Sequence, residues 1–220
     1  MFCLGVPAYR LRFGYEGRLS LDTIQRAYRT FRELVYISCT EELLPMSGAL
    51  ELDEAPFGGR RPGKRGWGAA GKVAVFGIYK RNGRVLTFPV PDRRAATLIP
   101  LVELHTTPGS LYFTDDFHGY ASLEQRGEHV VVTKEKGRPV GRDHINGIEG
   151  FWSFAKHWLY AYRGIRREQL PLFLKECEWR FNNRERDLVP LFESLLERYH
   201  WVHVSLVLPK LKRSVQLSQT

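Results

Sequence analysis

Cysteine is scarce in this chain. Cys3, Cys39 and Cys177 stand far apart with no CxxC pair, so neither a disulfide framework nor a zinc ribbon is indicated, and a reducing compartment fits. Long apolar runs are missing too: none reaches the ~18 residues that a membrane span needs. Residues 1–5 lack the charged start and apolar core of a secretory signal. The expectation is therefore a cytoplasmic protein, nucleoid-associated if its partner is DNA, with no membrane contact. No internal repeat or low-complexity tract interrupts the sequence. Acid is the less abundant charge, 24 Asp and Glu against 33 Lys and Arg. The resulting net charge of +9 favours a polyanionic partner and is silent about fold.

What is present suffices for one core. With 220 residues and 43% hydrophobic content, the chain reads as one sizeable domain with a small appendage. Residues 1–47 form a helical segment: Leu21, Ile24, Tyr28, Phe31, Leu34 and Val35 recur at helical spacing behind a Ser20 cap. The shorter apolar stretch 6–13 precedes it across a turn, so the pair reads either as a partial helix-turn-helix or as a plain helical hairpin packed on the main domain. From Ala49 the period changes. Strands are expected over 50–53, 73–79 and 85–90, the last two joined through Asn82-Gly83 as a type I′ hairpin. A helix over 93–106, a strand over 110–114, a short helix over 120–125 and a strand over 129–133 follow. Helices over 148–160, 168–182 and 188–199 complete the domain, spanning 48–200, and 201–220 reads as an irregular tail. This order predicts an α/β ribonuclease-H-like fold, a mixed five-stranded sheet flanked by helices.

Three carboxylates stand where such a sheet would gather them. Asp53 ends the first strand in Leu50-Glu51-Leu52-Asp53-Glu54, Asp115 ends the fourth in Leu111-Tyr112-Phe113-Thr114-Asp115, and Glu149 lies in the first turn of the next helix. Each has a plainer reading. A carboxylate at a strand end is commonly a turn former, and Asn146-Gly147-Ile148-Glu149 matches a capping box, with Asn146 as N-cap. Taken together they match the hard oxygen ligands that Mg2+ selects. Two such ions, about 3.5–4 Å apart, suit phosphodiester hydrolysis or transfer; Mn2+ would substitute. Lys156 sits two turns beyond Glu149 on the same helical face, in reach of phosphate.

The segment 60–72 holds five cations, four glycines and no acid. Arg60, Arg61, Lys64, Arg65 and Lys72 read as a phosphate-gripping loop, with a solvated hairpin tip as the alternative. Trp67 suits stacking on an unpaired base or covering a core edge. Arg163, Arg166 and Arg167 suit further phosphates, and His144, Asn146 and Trp152 are accessory candidates around Glu149.

These segments together resemble the DDE transposases of the insertion-sequence-1595 group, the ISXO-like transposase domain, in its small single-protein branch. The resemblance runs over 48–182. It rests on Leu50-Glu51-Leu52-Asp53-Glu54 with Phe57-Gly58-Gly59, Gly63-Lys64-Arg65-Gly66, Gly71-Lys72-Val73-Ala74-Val75-Phe76-Gly77 and Tyr112-Phe113-Thr114-Asp115. It continues through His144-Ile145-Asn146-Gly147-Ile148-Glu149-Gly150-Phe151-Trp152 with Lys156, and Leu174-Lys175-Glu176-Cys177-Glu178-Trp179-Arg180-Phe181-Asn182. The resemblance implies that Asp53, Asp115 and Glu149 are the acidic triad of a metal-dependent transposase, with Asn146 a lesser candidate near the third position. It also implies DNA partners, the terminal inverted repeats of an insertion sequence and a target, engaged by a homodimer or larger assembly. The alternatives are a structure-selective nuclease of the same fold and an inactive, domesticated DNA-binding protein.

Overall fold

Alternating apolar residues build the sheet, and the residues between them decide what each face meets. The computed structural model describes residues 1–13, 19–41, 43–58, 71–132, 143–162 and 164–199. Helix α1 (Leu21–Glu41) follows a short 3-10 helix, Ala8–Phe13. Its start is capped as the sequence suggests, the Ser20 hydroxyl accepting from the Thr23 N–H at 3.1 Å. Strands β1 (Ala49–Phe57), β2 (Val73–Lys80) and β3 (Val85–Val90) pair antiparallel in succession. Helix α2 (Ala95–His105) leads to β4 (Leu111–Thr114), which runs parallel to β1. A 3-10 helix, His118–Gln125, leads to β5 (Glu128–Val131), parallel to β4. Helices α3 (Asn146–Tyr160), α4 (Leu170–Asn182) and α5 (Leu188–Arg198) follow. The sheet order β3-β2-β1-β4-β5 is that of a ribonuclease-H-like fold.

Each sheet face has its own core. Leu50, Leu52, Phe76 and Ile78 pack with Leu98 and Val102 of α2. On the other face, Ala55, Phe57, Val75 and Tyr79 pack with Ile148, Phe151 and Trp152 of α3 and Leu174 and Cys177 of α4. A third cluster joins Phe2 and the α1 residues Ile24, Tyr28, Leu34 and Val35 to Trp179 of α4 and Phe192 of α5. Buried charges fix α1 on α4. Arg32 pairs with Glu176 at 2.6 Å, and Glu176 also holds Arg180 at 2.9 Å. Such a paired arrangement is the condition for burying charge at tolerable cost.

The β2–β3 hairpin departs from expectation. Its turn centres on Arg81 and Asn82 rather than Asn82 and Gly83, closed by Gly83 N–H to Lys80 C=O at 2.9 Å. Asn82 takes positive φ (57°) and Gly83 does not, so the turn is not type I′. Arg81 accounts for this: its N–H bonds the Ala49 carbonyl at 3.0 Å and its guanidinium reaches Glu51.

Candidate active site

Strand alternation sorts the acids of β1 between the two faces. Leu50, Leu52 and Glu54 point to the α2 side, whereas Glu51, Asp53, Ala55 and Phe57 point to the α3 side, as their core partners show. Asp53 does not end its strand as expected: β1 runs on to Phe57 because its ladder with β2 continues, and Asp53 lies mid-strand opposite Gly77. Its Oδ2 accepts from the indole N–H of Trp152 at 3.0 Å. Asp115 follows β4 directly, and its Oδ1 accepts the Phe117 N–H at 3.1 Å, the turn-forming bond anticipated for a strand-end Asp.

Asp53 and Asp115 repel each other electrostatically. Burial, then Glu54 and Asp115, push the Asp53 carboxyl up to about 7. Glu54 is also raised, by burial first, although Tyr120 and Arg93 oppose the shift. Arg93 grips Glu54 through Nε at 2.8 Å and Nη2 at 2.7 Å, and the Tyr120 hydroxyl donates to its other oxygen. The Arg93 guanidinium in turn covers the Phe117 ring at 4.2 Å, so the segment that carries Asp115 is held from the α2 face.

Glu149 stands in the first turn of α3, half-buried. The capping box does not form. Ile145 is the N-cap and contributes no side-chain bond; the Ile148 N–H is taken instead by Glu51 Oε2 at 2.9 Å. A fully buried carboxylate beneath the helix start does what Asn146 was expected to do, and it complements the positive end of the helix dipole. Arg81 balances Glu51 at 2.9 Å and donates to the His144 carbonyl, while His144 Nδ1 accepts the Asn146 N–H at 3.4 Å. His144 therefore belongs to the entry of α3, and Asn146 is exposed at its first position.

Lys156 approaches Asp53, and Lys72 approaches Lys156. The Lys156 amine lies 5.9 Å from the centre of the Phe57 ring. Its pKa is lowered, by burial first, with Asp53 opposing and Lys72 adding to the shift. Lys72 donates to the Gly58 carbonyl at 2.6 Å. Arg166 and Arg167 are exposed before α4. Arg60, Arg61, Lys64, Arg65, Trp67 and Arg163 lie outside the described residues.

The donor set matches a hard cation: two neighbouring carboxylates, one desolvated and raised in pKa by like charge, form a site that divalent charge would relieve. Among the described residues no three His, Cys, Asp or Glu side chains are grouped to hold an ion, so Glu149 does not close on Asp53 and Asp115 in this structure. Sequence reading missed Glu51, Glu54, Arg93, Tyr120 and Gly77. For the two glutamates the alternation of β1 was a usable signal; for the others there was none, because their partners are distant in the chain.

Comparison with known proteins agrees with this architecture. The model of the ISXO2-like transposase domain matches residues 45–182, from just before β1 to the end of α4. A protein of Haemophilus influenzae (strain ATCC 51907 / DSM 11121 / KW20 / Rd), described as an uncharacterized transposase-like protein, is 39% identical over 103 residues, covering 46% of this chain and 84% of the relative. The matched span holds the whole sheet, Asp53, Asp115 and the helix α3 that meets Asp53: this chain belongs to the ISXO2-like transposase family.

Proposed function

We propose that the protein is the transposase of a bacterial insertion sequence and cuts and joins DNA at the terminal inverted repeats of its element. The observation that carries this reading is Asp53, in the middle of β1, facing the like charge of Asp115, which directly follows the parallel strand β4, with the Asp53 carboxyl desolvated and bonded to Trp152 of α3. Asp53, Asp115 and Glu149 would hold two Mg2+ ions. When bound, such ions supply an activated attacking oxygen, neutralise the pentacovalent phosphorane and stabilise the departing 3′-oxygen.

The chain's own residues orient and neutralise. Trp152 holds Asp53, the Phe117 N–H holds Asp115, and Lys156 and Lys72 place positive charge where a DNA phosphate would lie. Water attacks the phosphodiester at the element boundary and leaves a 3′-hydroxyl. That hydroxyl then attacks a target phosphodiester in a transesterification, aided by two ends being held side by side in a dimer.

The test uses precut DNA ends carrying the element's terminal repeats, with Mg2+ and a target plasmid. The native protein should join them, and Asp53→Ala and Asp115→Ala should lose at least a thousandfold in joining while still binding DNA. Joining by Asp53→Ala at the native rate would refute the assignment. Cutting without joining by the native protein would favour a structure-selective nuclease instead.

A further inference from the structure

Trp152 stands apart from the accessory candidates because its polar atom is committed. The residue is 4% exposed, wedged edge-on against Phe57 at 5.8 Å and beside Phe151 at 5.1 Å. An indole so enclosed cannot stack on a nucleobase, and its one donor points at Asp53 Oδ2.

The backbone is arranged to admit it. Gly77 faces Asp53 across the β1–β2 pair, and a Cβ there would come within 2.6 Å of Trp152 Cζ2 and 2.7 Å of Cη2. Any larger residue at 77 would push the indole off the strand. At the start of α3, a Cβ on Gly147 would come within 2.1 Å of the Tyr79 ring, so a glycine lets the helix end approach Glu51. The two contacts share a register. Ile148 and Trp152 are one turn apart on α3, about 6 Å of rise. Glu51 and Asp53 are two residues apart on β1, about 6.6 Å. Helix and strand are therefore pinned at two matched points, and the second pin is Asp53 itself.

We infer that Trp152 is the positioning residue of Asp53, its fixed indole N–H holding Oδ2 so that the carboxylate is presented, already oriented, to the cations. The inference rests on the cation-binding reading of Asp53 proposed above. A carboxylate oriented in advance by a rigid donor loses less freedom on binding an ion, and outer partners of this kind typically tune metal affinity by roughly ten- to a hundredfold.

The experiment is calorimetric titration of the full chain with Mn2+ alone, without DNA. Trp152→Phe keeps an aromatic ring against Phe57 and removes the N–H together with part of the buried indole. It should unfold at a lower urea concentration than the native protein and, while still folded, bind Mn2+ about tenfold more weakly. Gly77→Ala, which touches no carboxylate, should weaken Mn2+ binding in the same direction by displacing the indole, and it supplies the answer if Trp152→Phe does not fold. Asp53→Asn is the reference and should lose the binding altogether. Native Mn2+ affinity in Trp152→Phe, with affinity lost in Asp53→Asn, would overturn the positioning role and leave the cation reading standing. Native affinity in Asp53→Asn would overturn the cation reading itself, and this role with it.

Discussion

Glu51 and Asp53 are both acids on one face of one strand, yet they do different work because of what surrounds them. Glu51 is 1% exposed at its side chain and fully engaged, by Arg81 on one oxygen and the Ile148 N–H on the other. Removing one partner of a buried ion pair typically costs about 3–5 kcal/mol. Arg81 is 19% exposed and regains some hydration, so Glu51→Ala should fall at the lower end, about 3 kcal/mol by urea unfolding. Glu51→Gln keeps an oxygen for Ile148 and should lose less. A loss as large for Gln as for Ala would mean that the charge, and not the cap, is what matters. The sequence displayed Asp115 through its position at a strand end, whereas Asp53, expected at one, lies in the middle of β1. It could not display the Glu51 cap or the Trp152 bond, since the partners are 97 and 99 positions apart, and it offered the local capping box as a nearer solution to the same unsatisfied N–H groups.

At the scale of elements, strand periodicity was read correctly because alternating apolar residues have only one way to face two cores. The hairpin turn was misread because Arg81 is drawn inward by a carboxylate on a neighbouring strand, a contact that outweighs the Asn-Gly preference for a type I′ turn centred on Asn82 and Gly83. The segment 174–182, singled out by resemblance, has a structural use. Strand β3 is an edge, and its outward groups are met by side chains of α4. Asn182 accepts from the Val85 N–H at 2.7 Å and donates to the Val85 carbonyl at 2.9 Å, and Glu178 accepts from the Thr87 N–H at 2.8 Å. Pro89 has no N–H to offer. A helix thus supplies the partners that a sixth strand would have supplied, which closes the edge to another chain. Asn182→Ala should lose about 1–2 kcal/mol, given about 1–3 kcal/mol for an unsatisfied buried group, and should increase self-association by light scattering. An unchanged unfolding midpoint together with unchanged scattering would show that water replaces the amide without consequence.

At the scale of the whole molecule, the candidate site draws on three elements that only the complete fold brings near one another. β1 contributes its middle and β4 its end, and α3 is held over β1 by Glu51 and Trp152. Helix α4 packs behind α3 and is itself locked to α1 by the Arg32–Glu176–Arg180 charges, so the N-terminal helix supports the scaffold of the site whatever else it contacts. No described helix is long and apolar enough to cross a membrane, and the net charge of +9 suits long-range attraction to a polyanion. The central claim, that Asp53, Asp115 and Glu149 share a pair of divalent cations, is tested most directly by anomalous diffraction from crystals of the full chain grown with Mn2+. Two peaks about 3.5–4 Å apart between the carboxyls of Asp53 and Asp115, with Glu149 turned to meet one of them, is the predicted result. Mn2+ bound elsewhere on the protein, with those carboxyls left without an ion, would contradict it.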